Sequence, residues 1–308
     1  NNSSFRNGKQ FAWDATSLSL AETCLRKYEL VMIQGYAPTE TSVHLLFGAI
    51  YASSLEQFFK LRSKEYSFGA ARDAVVKLAM IASWDKENAR PHNLTDKNKS
   101  RFSLIRSIVD YLDEFGRPGE ADFPTLILED GSPAVEYSFS YTPFPDEEGF
   151  SEIVFCGHLD RVVEYSPTDA FILDQKTTGG NFWSGYWKGF HPNTQVSMYT
   201  LAGNIVFNRN ISGMMIDAIS ITPLGSNFER HLIPVDKAFL HEWMIGAKFL
   251  IETVHRAADA NFYPMNPSSC SKYSGCEFQP VCTASPNLRA RILREDFAPK
   301  KWDPLERR

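Results

Sequence analysis

Asp160, Asp174 and Lys176 are the residues of this chain whose types and spacing point to chemistry. Asp174 and Lys176 flank Gln175, directly after the apolar run Phe171-Ile172-Leu173. That run is too short for a helix and suits a buried strand. Side chains alternate along a strand, so Asp174 and Lys176 share one face and Gln175 points to the other. Val154 to Val163 reads as a preceding strand, and Ser166-Pro167-Thr168-Asp169 carries turn chemistry between the two. Paired as a hairpin, the strands bring Asp160 to the face of Asp174. Two carboxylates and an amine on one spot suit a divalent metal with a charged group beside a scissile phosphate. The metal would polarise the phosphodiester and lower the pKa of a bound water. Lys176 would position that water or neutralise developing charge.

Such a centre calls for a further acidic ligand. Glu56, on a predicted helix, is the candidate, and Glu136 is the reserve. His158 stands two residues before Asp160, shares its face, and is a minor metal candidate. Gln195 and Tyr199 are four apart in a predicted helix from Thr194 to Val206, so they lie on one helix face. An amide and a phenol there can orient a phosphate or stack a base. Phe182, Trp183, Tyr186, Trp187 and Phe190 form an aromatic loop after Lys176. Some of these rings serve the core, and an exposed subset is suited to stacking unpaired bases.

A second constellation is made of thiols. Of 5 cysteines, Cys270, Cys276 and Cys282 are evenly spaced in a stretch of Pro, Ser, Gly and Lys, and Cys24 lies far upstream as a possible fourth. Four thiolates can bind Zn²⁺ or an iron–sulfur cluster and would tie the two ends of the chain together. The even spacing is unlike the tight pairs of zinc fingers and favours iron–sulfur. The odd cysteine count argues against a plain disulfide framework and for a reducing, cytoplasmic compartment. Cys156, inside a predicted strand, reads as core.

The elements that must position these groups are legible as patterns. Residues 1–12 read as a loose polar arm. Asp14 offers an N-cap for a helix running through Leu30 and carrying Cys24. A helix is predicted from Thr41 to Lys64, with Gly48 inside it marking a close approach of another backbone. Residues 70–90 and 99–116 read as two amphipathic helices. The character changes at Gly116-Arg117-Pro118-Gly119. Strands are then expected over Thr125–Leu128 and Ala134–Tyr141, followed by the central hairpin. Residues 179–191 read as loop. Met214–Thr222 and Phe228–Ile233 alternate as an antiparallel pair, and a helix spans Val235–Ala260. The order gives a mixed α/β core: a helical part over 1–120, the core over 121–260 and a cysteine region over 261–308. With 308 residues, 43% hydrophobic and 22% charged, the chain has ample material for a core. No stretch reaches a transmembrane span, and the N-terminus lacks a signal peptide's apolar core. A net charge of -5 does not mark a bulk nucleic-acid binder, although a local basic groove is compatible with it.

Together these residues resemble the PD-(D/E)XK nuclease superfamily in its RecB-like branch, which includes AddB nuclease domains, CRISPR-adaptation nucleases and phage exonucleases. Cys24 with Leu25-Arg26-Lys27-Tyr28 resembles that branch's Cys-x-x-x-Tyr helix. Phe47-Gly48 through Leu55-Glu56 is similar to its glycine-led first motif. Gly157-His158-Leu159-Asp160 and Asp174-Gln175-Lys176-Thr177 resemble its two catalytic motifs, and Gln195 to Tyr199 its Gln-x3-Tyr motif. Cys24 with the C-terminal trio resembles the split four-cysteine iron–sulfur clamp of part of the branch. The chain departs from the pattern at Ala52, where the first motif usually carries a metal-binding histidine, and in the even spacing of its last cysteines.

The resemblance implies a restriction-endonuclease-like fold and a Mg²⁺- or Mn²⁺-dependent DNA exonuclease, acting on single strands or duplex ends. Recombination, repair, or phage and defence processing in a bacterial or phage setting would be its context. The alternatives are a non-catalytic DNA-binding module and an accessory subunit of a helicase–nuclease complex. No phosphate-cradling Gly-x4-Gly-Lys-[Ser/Thr] occurs, so ATP-driven unwinding would come from a partner.

Overall fold

The computed structural model describes residues 4–39, 42–86, 88–92, 94, 96–117, 123–207, 209–272 and 275–306. In chain order the main elements are β1 (Ala12–Trp13), α1 (Ala15–Thr23), α2 (Val43–Ser63), α3 (Phe68–Ala82) and α4 (Arg101–Phe115). Then follow β2 (Val135–Tyr141), β3 (Val154–Glu164), β4 (Ala170–Thr178), α5 (Thr194–Val206), β5 (Ile211–Ile221) and β6 (Ser226–Pro234). The chain closes with α6 (Lys237–Asp259) and α7 (Pro286–Asp296). The fold is mixed α/β, with a mixed central sheet flanked by helices. Its compact units do not follow chain order. One comprises residues 41–137 and 158–235, and the other 1–40, 138–157 and 236–308.

In the first unit the sheet runs β6-β5-β4-β3, with β2 paired to β3. β3 and β4 are antiparallel, β4 and β5 parallel, and β5 and β6 antiparallel. The β4–α5–β5 crossover is what allows the parallel pair, since two parallel neighbours need a connection that returns along the sheet. Its two faces carry different helices. Val135 and Ile219 join Phe47, Ile50, Tyr51 and Leu55 of α2 and Leu104, Ile108 and Tyr111 of α4 in one buried cluster. On the opposite face α5 lies so close that a Cβ on Gly203 would stand 3.1 Å from Ile172 and 3.0 Å from Ile211. A glycine there lets the helix seat on the sheet.

In the second unit β1 pairs in parallel with the start of β3, Ala12 with Val154 and Trp13 with Phe155. Trp13 is fully buried and stacks on Tyr28, with ring centroids 5.6 Å apart. Trp243 of α6 packs on Phe155 at 6.0 Å. A smaller apolar cluster joins Leu30 to Phe278, Val281, Leu293 and Phe297. Strand Tyr36–Pro38 pairs with Phe297–Pro299, so the segment after α1 and the C-terminal region are packed together.

Several sequence expectations are corrected. The described part of the N-terminal arm is a hairpin, Phe5–Arg6 with Lys9–Gln10, turned by Asn7 and Gly8 at φ 52° and 76°. Asn-Gly is the strongest two-residue hairpin signal, and it was legible in the sequence. The helix capped by Asp14 does not run through Leu30. It stops at Cys24, whose backbone is extended, and restarts as Leu25–Tyr28 followed by a π-helical turn, Glu29–Ile33. The helix expected over 70–90 ends at Ala82, where Trp84–Asp85 pairs with Arg90–Pro91. Asp85 favours that turn by accepting from Asn88 N and Nδ2.

Thr125–Leu128 is not a full strand. It makes bridges at Thr125 to Val163 and Ile127 to Pro133, and the flanking Pro124 and Pro133 cannot donate to a ladder. Residues 179–191 hold a short helix, Ser184–Lys188. Thr41, and Pro118–Gly119 of the expected boundary, lie outside the described residues.

Candidate active site

Strand β4 carries its buried residues Phe171, Ile172 and Leu173 into the sheet and delivers Asp174 and Lys176 at its end. Asp174 is 2% exposed, and Lys176 is half-buried. Leu173 pairs with Arg161, so Asp160 comes alongside Asp174, and the Gln175 N–H donates to Asp160 Oδ2 at 3.3 Å. Lys176 Nζ meets Asp174 Oδ2 at 2.5 Å and donates to Gln195 Oε1 at 3.0 Å. Gln195 Nε2 closes the circuit on Asp174 Oδ1 at 3.4 Å. Asn193 caps α5 by accepting from the N–H groups of Gln195 and Val196, which fixes the first turn that presents the amide.

The electrostatics follow from crowding charge in a shielded place. Burial pushes the Asp160 carboxyl well above the ordinary range, Asp174 adds to the rise, Lys176 opposes it, and Glu136 adds further. Burial alone would lower the Lys176 ammonium's pKa, but Asp174 and Asp160 outweigh burial and raise it. Two carboxylates that repel each other, with only one ammonium between them, form the oxygen-donor set a divalent cation neutralises. The residues present therefore fit such an ion. Among the described residues, no group of three or more His, Cys, Asp or Glu is arranged to hold a metal ion.

The other sequence candidates fall as follows. His158 is half-buried on β3, two residues before Asp160, on the same face. Tyr199 is half-buried one turn beyond Gln195. Glu56 is not brought to the carboxylates. It belongs to α2, which packs on the other face of the sheet, and its Oε1 pairs with Lys60 Nζ at 2.5 Å. Ala52 lies on that helix too. Gly48 does not mark a forced approach, because an added Cβ would meet only Thr177 Oγ1 at an ordinary 3.8 Å.

The aromatic loop packs largely on itself. Tyr186 lies 4.9 Å from Trp187 and 5.4 Å from Phe190, and Trp187 stacks on His231 at 4.7 Å. Trp183 is 67% exposed.

Burial raises the Tyr186 phenol's pKa, while Lys176 lowers it and Asp174 raises it. Two groups near the site, Lys99 and Asn98, were not singled out by the sequence. Lys99, 4% exposed, donates to Thr177 O at 3.2 Å and Oγ1 at 3.3 Å. Asn98 Nδ2 donates to Gly179 O at 2.7 Å. Both brace the end of β4. Their only sequence signal is a polar stretch, which does not announce a tertiary contact.

The thiols sit in the other unit. Asn266 N–H donates to Cys24 Sγ at 3.3 Å, and the Phe278 N–H donates to the Cys276 sulfur. Burial raises the Cys282 thiol's pKa; Cys24, Cys276 and Cys270 raise it too, and Arg26 opposes them. Cys24, Cys270 and Cys276 are thus within electrostatic reach of Cys282. Cys156 is buried with its Sγ 3.5 Å from Trp13 O, as expected of a core residue.

A mixed sheet that carries an Asp and an Asp-x-Lys on adjacent strands, with a helical Gln over them, defines a nuclease-type site. A family model for the PD-(D/E)XK nuclease superfamily matches residues 12–283, and the chain belongs to that superfamily. No curated protein sequence matches the chain significantly. Among solved structures that match is a protein from Eubacterium rectale provisionally named an exonuclease, at 12% identity and a TM-score of 0.45, covering 85% of this chain and 86% of that one. Among the described residues, no helix is long and apolar enough to cross a membrane.

Proposed function

We propose that this nuclease is a Mg²⁺- or Mn²⁺-dependent deoxyribonuclease of the RecB-like branch, working as an exonuclease on single-stranded DNA or duplex ends. The observation that carries the reading is the hydrogen-bonded circuit of Asp174, Lys176 and Gln195 with Asp160 beside it. Asp160 and Asp174 would hold the ion, which when bound supplies an activated water and charge stabilisation at the phosphate. His158 stands close enough along β3 to orient that shell. Lys176, held by Asp174 and Gln195, presents an ammonium where negative charge develops on the phosphoryl oxygens. Gln195 fixes the lysine's direction, and Tyr199, on the same helix face, would contact the DNA backbone. Exposed Trp183 offers a stacking surface for an unpaired base. A cytoplasmic role in recombination, repair or phage-related DNA processing, alongside a helicase partner, fits this chemistry.

End-labelled single- and double-stranded DNA, incubated with and without Mg²⁺ or Mn²⁺, tests the reading. Metal-dependent mononucleotide release, lost in Asp174→Ala, is expected. DNA binding without cleavage under any metal would instead make the chain a non-catalytic module.

The same reading extends to Cys24, Cys270, Cys276 and Cys282 as ligands of one iron–sulfur cluster, with structural Zn²⁺ as the alternative. A cluster spreads its thiolates wider than one ion does, and N–H donors to sulfur favour the thiolate form. Iron and zinc content of anaerobically purified protein decides between them. Neither metal would remove the clamp.

A further inference from the structure

The aromatic segment after β4 is anchored on the face of the sheet that carries Asp174. Ile216 of β5 pairs in parallel with Asp174 and antiparallel with His231 of β6. The three form one cross-strand row with side chains on one face, and two strand spacings, roughly 10 Å, separate Asp174 from His231. Trp187 stacks on His231 with ring centroids 4.7 Å apart. Phe182 packs on Tyr186 at 5.7 Å and on Trp187 at 5.6 Å. The short helix Ser184–Lys188 is thus fixed to the sheet on the side of the carboxylates.

Trp183 stands at the N-cap of that helix and is 67% exposed. Its pose is nonetheless set by its neighbours. A Cβ on Gly185 would stand 1.7 Å from Trp183 Cζ3 and 2.3 Å from Cη2, so the indole lies across the place where a side chain would be. The Tyr186 N–H also donates to Trp183 O at 2.8 Å. Glycine in a helix is less favourable than alanine, so this glycine costs helix stability and in return leaves room for the ring. A large ring held in solvent beside the carboxylates suits a ligand with a flat apolar face.

We propose that Gly185 positions Trp183 as the platform on which an unpaired base of the substrate strand stacks, and that this stack selects single strands over closed duplexes. The proposal rests on the reading of the chain as a deoxyribonuclease acting at Asp174 and Lys176. Every base has a π-face, so the platform is indifferent to sequence. Inside a duplex that face is already covered by the neighbouring base pairs, and only an unpaired base can offer it to the indole.

The test is binding of a fluorescein-labelled oligothymidylate, read by fluorescence anisotropy with a chelator present so that no strand is cut. An abasic strand of equal length and a duplex closed by a hairpin at each end are the comparisons. Trp183→Ala is expected to weaken oligothymidylate binding by about 5- to 100-fold, the range for losing one base–aromatic stack, and to leave the other two probes unchanged. Trp183→Phe should recover part of the loss. Gly185→Ala should weaken oligothymidylate binding by a similar factor while the melting temperature stays the same or rises, because alanine is the better helix former. Added to Trp183→Ala, it should change nothing further. No loss in Trp183→Ala, or an equal loss for all three probes, overturns the stacking role. Full binding in Gly185→Ala, or a loss matched by a fall in melting temperature, overturns the positioning role. Wild-type protein that binds none of the probes would bring down the deoxyribonuclease reading, and the proposal with it.

Discussion

Lys176 does two opposed things at the residue scale. Its ammonium neutralises Asp174 at 2.5 Å, and so competes for the oxygen a metal would use. It is also the group proposed to act at the phosphate. Lys176→Met should therefore lower cleavage by about 10²–10³-fold, the scale of losing one preorganised charge-stabilising group. Mn²⁺ affinity in that variant should stay the same or rise. A parallel fall in cleavage and Mn²⁺ affinity would mean that the lysine builds the metal site instead of acting at the phosphate.

Elements are held to this geometry by specific backbone and buried contacts. Gly213 lies at the register shift between β4 and β5, at φ 151°, and an added Cβ would stand 2.1 Å from Ile233 O. Backbone cannot yield as a side-chain tip can, so Gly213→Ala should be strongly destabilising, and a melting temperature within a degree or so of wild type would contradict that. A buried network ties α4 to β5 and β6. The Tyr111 hydroxyl donates to Asp217, whose Oδ1 meets Arg230 Nε at 3.2 Å. Burial raises the Asp217 carboxyl's pKa, opposed by Arg230, by the Tyr111 hydrogen bond and by Arg161. Arg230→Ala strands that acid and should cost about 3–5 kcal/mol in denaturant unfolding. Asp217→Asn keeps the shape and should cost less.

For the whole molecule, acid stability has an identifiable contributor in His255. Its Nε2 lies 2.8 Å from Gln10 O, and burial holds the imidazole's pKa below its ordinary 6.5, with Lys9 lowering it further and Asp259 opposing. The folded state prefers the neutral ring. That contribution is intact above the ordinary value and is lost as pH falls through the depressed folded value. His255→Gln keeps a donor for Gln10 without the titration. The variant's melting temperature should fall less than wild type's between about pH 7 and pH 5. Identical slopes would assign the acid lability to other groups.

The sequence by itself determined strand β4, its Asp-x-Lys pair, the hairpin partner carrying Asp160 and the helix bearing Gln195. Each is a local pattern, an apolar run of strand length or a spacing of two or four, and local patterns survive into the fold because strand and helix periods are fixed by the backbone. Extents were less legible where a single residue stops an element, as at Cys24 and Ala82, since end points depend on competing caps and turns. Only the tertiary structure decided that Glu56 pairs with Lys60 on its own helix and that Lys99 and Asn98 reach the end of β4. The last two are contacts across long loops, and no spacing along the chain encodes which distant side chain will meet a given strand end.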